Sequence, residues 1–381
     1  MQRSFRIVAA ALATLVASAC GHSGSGSSPP LLPSVAESER SAAFNPAVHT
    51  PRIQEFPIPG GGSPAGITAV NQSAVWFVNE HKIGRFDTTT HRIIQYNSLY
   101  DLGPDITPGS DFALWTTGNL PGGINDLGLK GNYSEVVRLT QSGSWSHRVL
   151  PQGGAPYGGS AITVTHGLLD DVWYAMCGGC RVDESDYSNF GSVSPSFVFA
   201  NPGAIQFVQT YYYEIRSMSR GSDGNLWISG DGGDIAAGTI PAAIFRVVPG
   251  APQENAHWFF PNFDTPPFTS FAGNLNPGPN ALVWFTDPQG NAIGKISTED
   301  TLIEYPVPTA NAWPWKITLN GDGLLYFTEN MANKIGRIDP STGHISEFSL
   351  PLANAEPYGI IGTVSKKVYF TYGADIGMLT P

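Results

Sequence analysis

Charge is scarce in this chain, and what there is leans one way. Only 13% of the 381 residues are charged, with 20 Lys and Arg against 31 Asp and Glu, for a formal net charge of −11. Affinity for nucleic acid rests on neutralising phosphates, so this deficit of basic residues excludes nucleic acid as a partner. Cysteine is nearly missing, with three in the chain. No G-x-S-x-G elbow and no His pair at metal-ligand spacing occur, so the usual signatures of an esterase nucleophile or a zinc site are absent. Uninterrupted helix-forming sequence is lacking as well, because 44 Gly and 31 Pro are too many helix breakers for an α/β protein. With 41% hydrophobic and 11% aromatic residues the chain can still bury a large core. The expected fold class is therefore all-β.

The apolar run IVAAALATLVASA follows Arg3 and Arg6 and ends in Ala17-Ser18-Ala19-Cys20. It is too short for a permanent membrane span and has the layout of an export signal over residues 1–19. Small residues ahead of a cysteine resemble a bacterial lipobox, which makes Cys20 the expected lipidation site. Residues 20–50, beginning CGHSGSGSSPPLLPS, have the Gly/Ser/Pro composition of a flexible tether, so the folded domain is expected over 51–381. Removing Arg3 and Arg6 with the leader leaves 18 basic residues against 31 acidic ones, a net of −13. The expected location is outside the cytoplasm, periplasmic or at the cell surface, held to a membrane by lipid. Cys177 and Cys180 then form an even C-x-x-C pair in an oxidising compartment, open to a disulfide, to metal binding or to free thiols.

The stretch 301–348 supplies the repeat unit. Four short runs (LIEYP, KITL, LLYFT and KIGRI) are each bounded by Pro, Gly, Asn or Asp, and Asn320-Gly321-Asp322-Gly323 suits a tight hairpin. The aromatic markers of the third run recur at Trp76, Trp115, Trp173, Trp227, Trp284, Tyr326 and Tyr369, spaced 39, 58, 54, 57, 42 and 43 residues apart. Seven units of this size predict a seven-bladed β-propeller of four-stranded blades. With strands lettered A to D from the axis outward, B carries the aromatic marker. Strand A includes Gly66-Ile67-Thr68, Asp105-Ile106-Thr107, Ala161-Ile162-Thr163 and Lys316-Ile317-Thr318. In the third repeat, FVFA (197–200) reads as strand C and AIQFV (204–208) as strand D. The count is out of phase, since one D strand, IQEF at 53–56, precedes the first A and none follows the last C. A ring without exposed sheet edges needs IQEF to pair beside DIGML at 375–379.

The repeated I-x-E-[YF]-P, P-x-x-I-T, W-F-T-E and N-K-I-G-R-I phrases resemble the streptogramin B lyase (virginiamycin B lyase) family. Its members are seven-bladed propellers that open a cyclic depsipeptide by metal-dependent elimination. The resemblance covers about residues 53–381 and is strongest in VWFVNEHKIGRFD, VWFTDPQGNAIGKI and LYFTENMANKIGRID. It implies a general-base His in a P-H-[AG]-I phrase of the last repeat, a second His in the repeat before, and a metal-binding Glu after the last aromatic pair. Here the phrases read Pro357-Tyr358-Gly359-Ile360 and Pro314-Trp315-Lys316-Ile317, and the third place reads Thr371-Tyr372-Gly373. Neither Tyr nor Trp is a proton acceptor at neutral pH. Glu329 and Glu356 do match the family pattern, but two carboxylates without imidazole make a weak metal site.

Among the eight histidines only His81 falls in a B–C loop, on the face where strand A begins. The insertions at about 118–134, 177–195 and 230–242 lie in B–C loops of the same face, a place where recognition is usually carried. Rings at Tyr157, Trp313, Trp315, Tyr358 and Phe268, beside Asp287, Glu329, Glu356 and Asn79, would suit a small-molecule, peptide-like or sugar-like ligand at the channel mouth. The D-G-N and D-G-L runs at 223 and 322 read as hairpin turns in preference to calcium loops. Two readings follow. One is a monomeric lipoprotein binding or scaffold module that keeps the lyase architecture without its chemistry and without an assigned metal. The other is an active lyase or lactone-acting hydrolase with a rearranged, magnesium-dependent site built on His81, Glu329 and Glu356.

Overall fold

The short apolar runs become antiparallel strands because each ends at a turn that the sequence dictates. In the sixth repeat, Gly323 adopts φ +83° and its N–H donates to the Asn320 carbonyl at 3.0 Å, closing the hairpin between Pro314–Leu319 and Leu325–Glu329. The computed structural model describes residues 51–381 except 120–122, 125–129, 132–133, 151–159, 167–170, 179–186, 197–209, 212, 233–242, 248–256, 260–271 and 298–300. Cys20, the tether, Tyr157, Cys180, Phe268 and the runs 197–200 and 204–208 lie outside the described residues.

Seven four-stranded antiparallel sheets stand in this domain, and a two-residue ribbon, Gly123–Ile124 with Lys130–Gly131, decorates the second. The fold is a seven-bladed β-propeller. Strands A are Pro64–Asn71, Asp101–Pro108, Ser160–His166, Tyr213–Arg220, Asn274–Pro277, Pro314–Leu319 and Ile360–Gly362. The seventh sheet is completed by Arg52–Pro57, which pairs antiparallel with Asp375–Thr380 in the register Ile53↔Leu379 and Phe56↔Ile376. The offset in the repeat count therefore has the expected cause, and the ring closes on its own N-terminal strand.

Within a blade, a glycine faces an aromatic ring. Phe77, Phe285, Phe327 and Phe370 of strands B stand opposite Gly84, Gly294, Gly336 and Gly377 of strands C. A Cβ on any of these glycines would overlap the ring. The glycine of the I-G-[RK] phrase is thus the bed on which the second aromatic of strand B lies, and that ring is fully buried. The same rule locates strand C of the third blade. Tyr174 stands opposite Gly191, so strand C is Tyr187–Val193, followed by a fourth strand at Thr210–Tyr211. The expected strand C at 197–200 is corrected accordingly, and the B–C connection of this blade shortens to 179–186. In strand A of the same blade a bulge between Ala161 and Thr163 shifts the register, and Thr163-Val164-Thr165 takes the place expected of Ala161-Ile162-Thr163.

Neighbouring blades are joined by buried hydroxyls. Thr286 accepts from Asn274 N–H of its own blade (3.1 Å) and donates to the Trp315 carbonyl of the next (2.9 Å). Thr328 repeats this with Lys316 N–H (3.1 Å) and the Tyr358 carbonyl (3.0 Å), and Thr371 with Gly359 N–H (2.9 Å) and the Ala65 carbonyl (2.6 Å). Ser229 donates to the Ala272 carbonyl at 2.8 Å. These are the inward-facing backbone groups that no sheet partner can satisfy.

Two outcomes test the packing. Deleting residues 1–57 leaves Asp375–Thr380 as an open edge, and the truncated protein should aggregate where the full domain stays monodisperse in light scattering. Gly336→Ala should cost about 1–3 kcal/mol in urea unfolding, because the Phe327 ring has to leave its well.

Candidate functional site

The seven strands A surround a central channel of about 170 Å³. Each contributes a triplet, and the first members of the triplets are Gly66, Asp105, Thr163, Ser217, Asn274, Lys316 and Gly359. Asp105 and Lys316 are the charged side chains in this lining. They come from blades 2 and 6, yet Lys316 Nζ lies 2.7 Å from Asp105 Oδ1, with the side chains 13% and 15% exposed. Glycines stand in the same position of blades 7 and 1, which lie between them on the shorter path around the ring. Burial pulls the Lys316 ammonium down, but Asp105 and Tyr358 outweigh it and its pKa lies above the ordinary value. The lysine is therefore charged at neutral pH, and the ion pair spans the channel as a strut.

Two rings adjoin the lysine of the strut. Trp315 and Tyr358, at matching places in blades 6 and 7, have centroids 6.0 Å apart at an interplanar angle of 52°, and Lys316 Nζ lies 6.0 Å from the Tyr358 centroid. Both rings are half-buried. The arms that carry them are strained. Trp313 and Glu356, each just before a proline, have φ +56° and +46°, a region that bulky residues rarely adopt. Asparagines of the strand C phrases hold the arms in place. Asn291 Nδ2 donates to the Val307 and Thr309 carbonyls (3.1 and 2.9 Å) and its Oδ1 accepts from Ala312 N–H (2.7 Å). Asn333 likewise bonds the Leu352 carbonyl (2.8 Å) and Ala355 N–H (3.0 Å).

Two of the predicted carboxylates, Asp287 and Glu329, are fully buried. Asn79, Asp287 and Glu329 end their strands B and are buried inside the blades. Each faces a polar residue of strand D: Asn79 Nδ2 donates to Gln95 Oε1 at 2.9 Å, while Asp287 and Glu329 lie against Glu304 and Glu347. Burial, with the charge of Glu347 adding to it and Lys334 opposing, pushes Glu329 up to about 8. Glu356 is exposed on its arm. His81 is exposed too, its Nδ1 2.9 Å from Asp101 Oδ1. The structure thus brings Trp315 and Tyr358 together and keeps His81, Glu329 and Glu356 in three separate environments. No group of three or more His, Cys, Asp or Glu suited to a metal occurs among the described residues. His81, Glu329 and Glu356 do not converge and so do not fit a magnesium ion.

The strut itself escaped the sequence reading. Its one sign was Lys316 in a phrase whose counterparts at Gly66 and Gly359 carry no side chain. Asp223 and Asp322, in the D-G-N and D-G-L runs, sit in hairpin turns and bind the Trp227 indole N–H (3.1 Å) and the Tyr326 hydroxyl (2.8 Å). Breaking the strut on one side only, as in Asp105→Asn, should destabilise the protein by about 3 kcal/mol in chemical unfolding, because Lys316 stays buried and charged. The double variant Asp105→Asn/Lys316→Met should recover most of that loss.

Comparison with known proteins follows this geometry. The Virginiamycin B lyase family profile matches residues 256–381. A virginiamycin B lyase of Nocardia farcinica (strain IFM 10152) is 34% identical over 144 residues, which is 38% of this chain and 44% of the relative, so the match spans less than half of that protein's length. Among solved structures, a streptogramin B lyase superposes with a TM-score of 0.64 at 25% identity, covering 86% of this chain and 97% of the other. A catalytically inactive virginiamycin B lyase from Staphylococcus aureus with Quinupristin gives 0.65 at 25% identity, covering 87% and 100%. The selenomethionine form from the same organism gives 0.66 at 23% identity over the same shares, a likeness of fold. The chain is matched at the level of family to the virginiamycin B lyases, on the framework of a seven-bladed β-propeller.

Proposed function

We propose that this chain is an exported propeller, anchored to a membrane through lipid on Cys20, that binds a small-molecule, peptide-like or sugar-like ligand at the channel mouth without opening it. The observation that carries the reading is a pair of adjoining rings, Trp315 and Tyr358, next to the charged strut Lys316–Asp105 of the channel. Rings of this kind take up apolar surface, and a charged strut offers hydrogen bonds to carbonyl and hydroxyl groups. By resemblance, Tyr358 stands where the lyases keep a general-base His and Trp315 where they keep a second one. Eliminating across an ester requires a base that is unprotonated near neutral pH, and a phenol with a reference pKa near 10 is not one. The domain acts as a monomer.

The test uses purified protein with magnesium and quinupristin. Chromatography after overnight incubation should return the antibiotic with its ring closed, and Tyr358→His alone should not change that. Calorimetric titration should show quinupristin binding that weakens about tenfold in Trp315→Ala. Ring opening by the unmodified protein would overturn the reading and direct attention to His81, whose replacement by Ala should then abolish turnover.

A further inference from the structure

In four of the blades a polar residue ends strand B, and a polar residue of strand D stands opposite the strand C glycine. In blade 1 the pair is Asn79 and Gln95, and the amide N–H of Asn79 supplies the hydrogen at 2.9 Å. In blade 7 it is Tyr372 and Glu55, and the phenol O–H supplies it. Gln95, Glu304, Glu347 and Glu55 stand opposite Gly84, Gly294, Gly336 and Gly377, so the four positions correspond residue for residue. In blade 5 the pair is Asp287 and Glu304, and neither carboxylate owns a hydrogen to give.

We propose that Asp287 and Glu304 share one bound proton, which makes blade 5 a pH-released lock between its strands B and D. Asp287 is fully buried, and its Oδ2 and the Glu304 Oε1 are covered from solvent without a partner. A single hydrogen between them satisfies both oxygens and reproduces the bond seen in blades 1 and 7. Two cations of neighbouring strands are committed elsewhere. Lys295 of strand C lies 5.2 and 5.1 Å from the Trp284 and Tyr305 rings, and Lys316 of the adjoining strand A holds Asp105. The B–C loop presents to Asp287 only the backbone N–H groups of Gly290, at 2.8 Å, and Gln289. Burial raises Asp287 to about 6 against those two donors, and burial with the Asp287 charge raises Glu304 to about 7.

Both shifts are upward, so the stability that the pair contributes is complete below the ordinary carboxylate range and is lost as pH rises through about 6 to 7. The lock reaches the mouth through its loop. Asp287 holds Gly290, the next residue Asn291 holds Val307, Thr309 and Ala312, and the arm continues into Trp313 and Trp315. Release of the proton therefore loosens the arm that leads to Trp315.

The experiment compares the wild-type protein with Asp287→Asn/Glu304→Gln, which copies the amide pair of blade 1. The folding equilibrium constant of the wild type should fall relative to the variant by about one to two powers of ten per pH unit between about pH 5 and 7, levelling off by about pH 8. At one fixed pH near 8, amide exchange over 307–313 should be faster in the wild type. Parallel stability curves or equal exchange would overturn the proposal. If the variant does not fold, infrared spectra of the wild-type protein at about pH 6 still decide it, since the shared proton requires a protonated-carboxyl band that titrates away by about pH 8.

Discussion

Everything in this propeller depends on a constraint at its axis: the inner edge of each sheet exposes backbone groups that no fifth strand can pair. The hydroxyls of Ser229, Thr286, Thr328 and Thr371 answer it, each reaching a carbonyl at or just before the start of strand A of the next blade. A Ser or Thr in the middle of a strand B is unremarkable as a local choice. Its value appears only once the ring has closed, because a hydroxyl can accept from one blade and donate to the next, whereas a methyl group would leave both backbone groups unsatisfied.

The aromatic markers and glycines form a second layer of the same logic. Trp76, Trp227 and Trp284 are sealed between blades, while Phe77, Phe285 and Phe327 lie within their own sheets on Gly84, Gly294 and Gly336. The phrase I-G-[RK] marks three of the strands C, but the third repeat lacks it, and its strand C lies about ten residues before the expected place. The physical rule, an aromatic ring opposite a glycine, finds Tyr174 and Gly191 without it.

The channel shows how a closed ring brings together side chains that are far apart in sequence. Lys316 and Asp105 are 211 residues apart in sequence, and the ion pair exists because blades 2 and 6 face one channel. It is a buried pair, so its worth lies less in net stability than in the cost of losing one partner. Lys316 lies 6.0 Å from the Tyr358 ring, and Asn291 and Asn333 hold the arms that lead to Trp315 and Tyr358. The same asparagines explain how Trp313 and Glu356 tolerate left-handed backbone, since the loop is held at both ends by side-chain hydrogen bonds.

By itself the sequence determined the number of blades, the strand order within most of them and the closure by residues 53–56. These follow from local patterns: turn residues, alternating apolar runs and a count that is out of phase by one strand. It also determined that Trp315 and Tyr358 occupy matching places in consecutive repeats. Only the tertiary structure decided that Asp287 and Glu329 turn into the blades and not toward a ligand. Facing depends on which residue ends strand B, and a single position along a strand reverses it. Only the closed ring could set Lys316 against Asp105, because the distance between two channel-lining side chains depends on blade number and tilt, which no stretch of local sequence encodes.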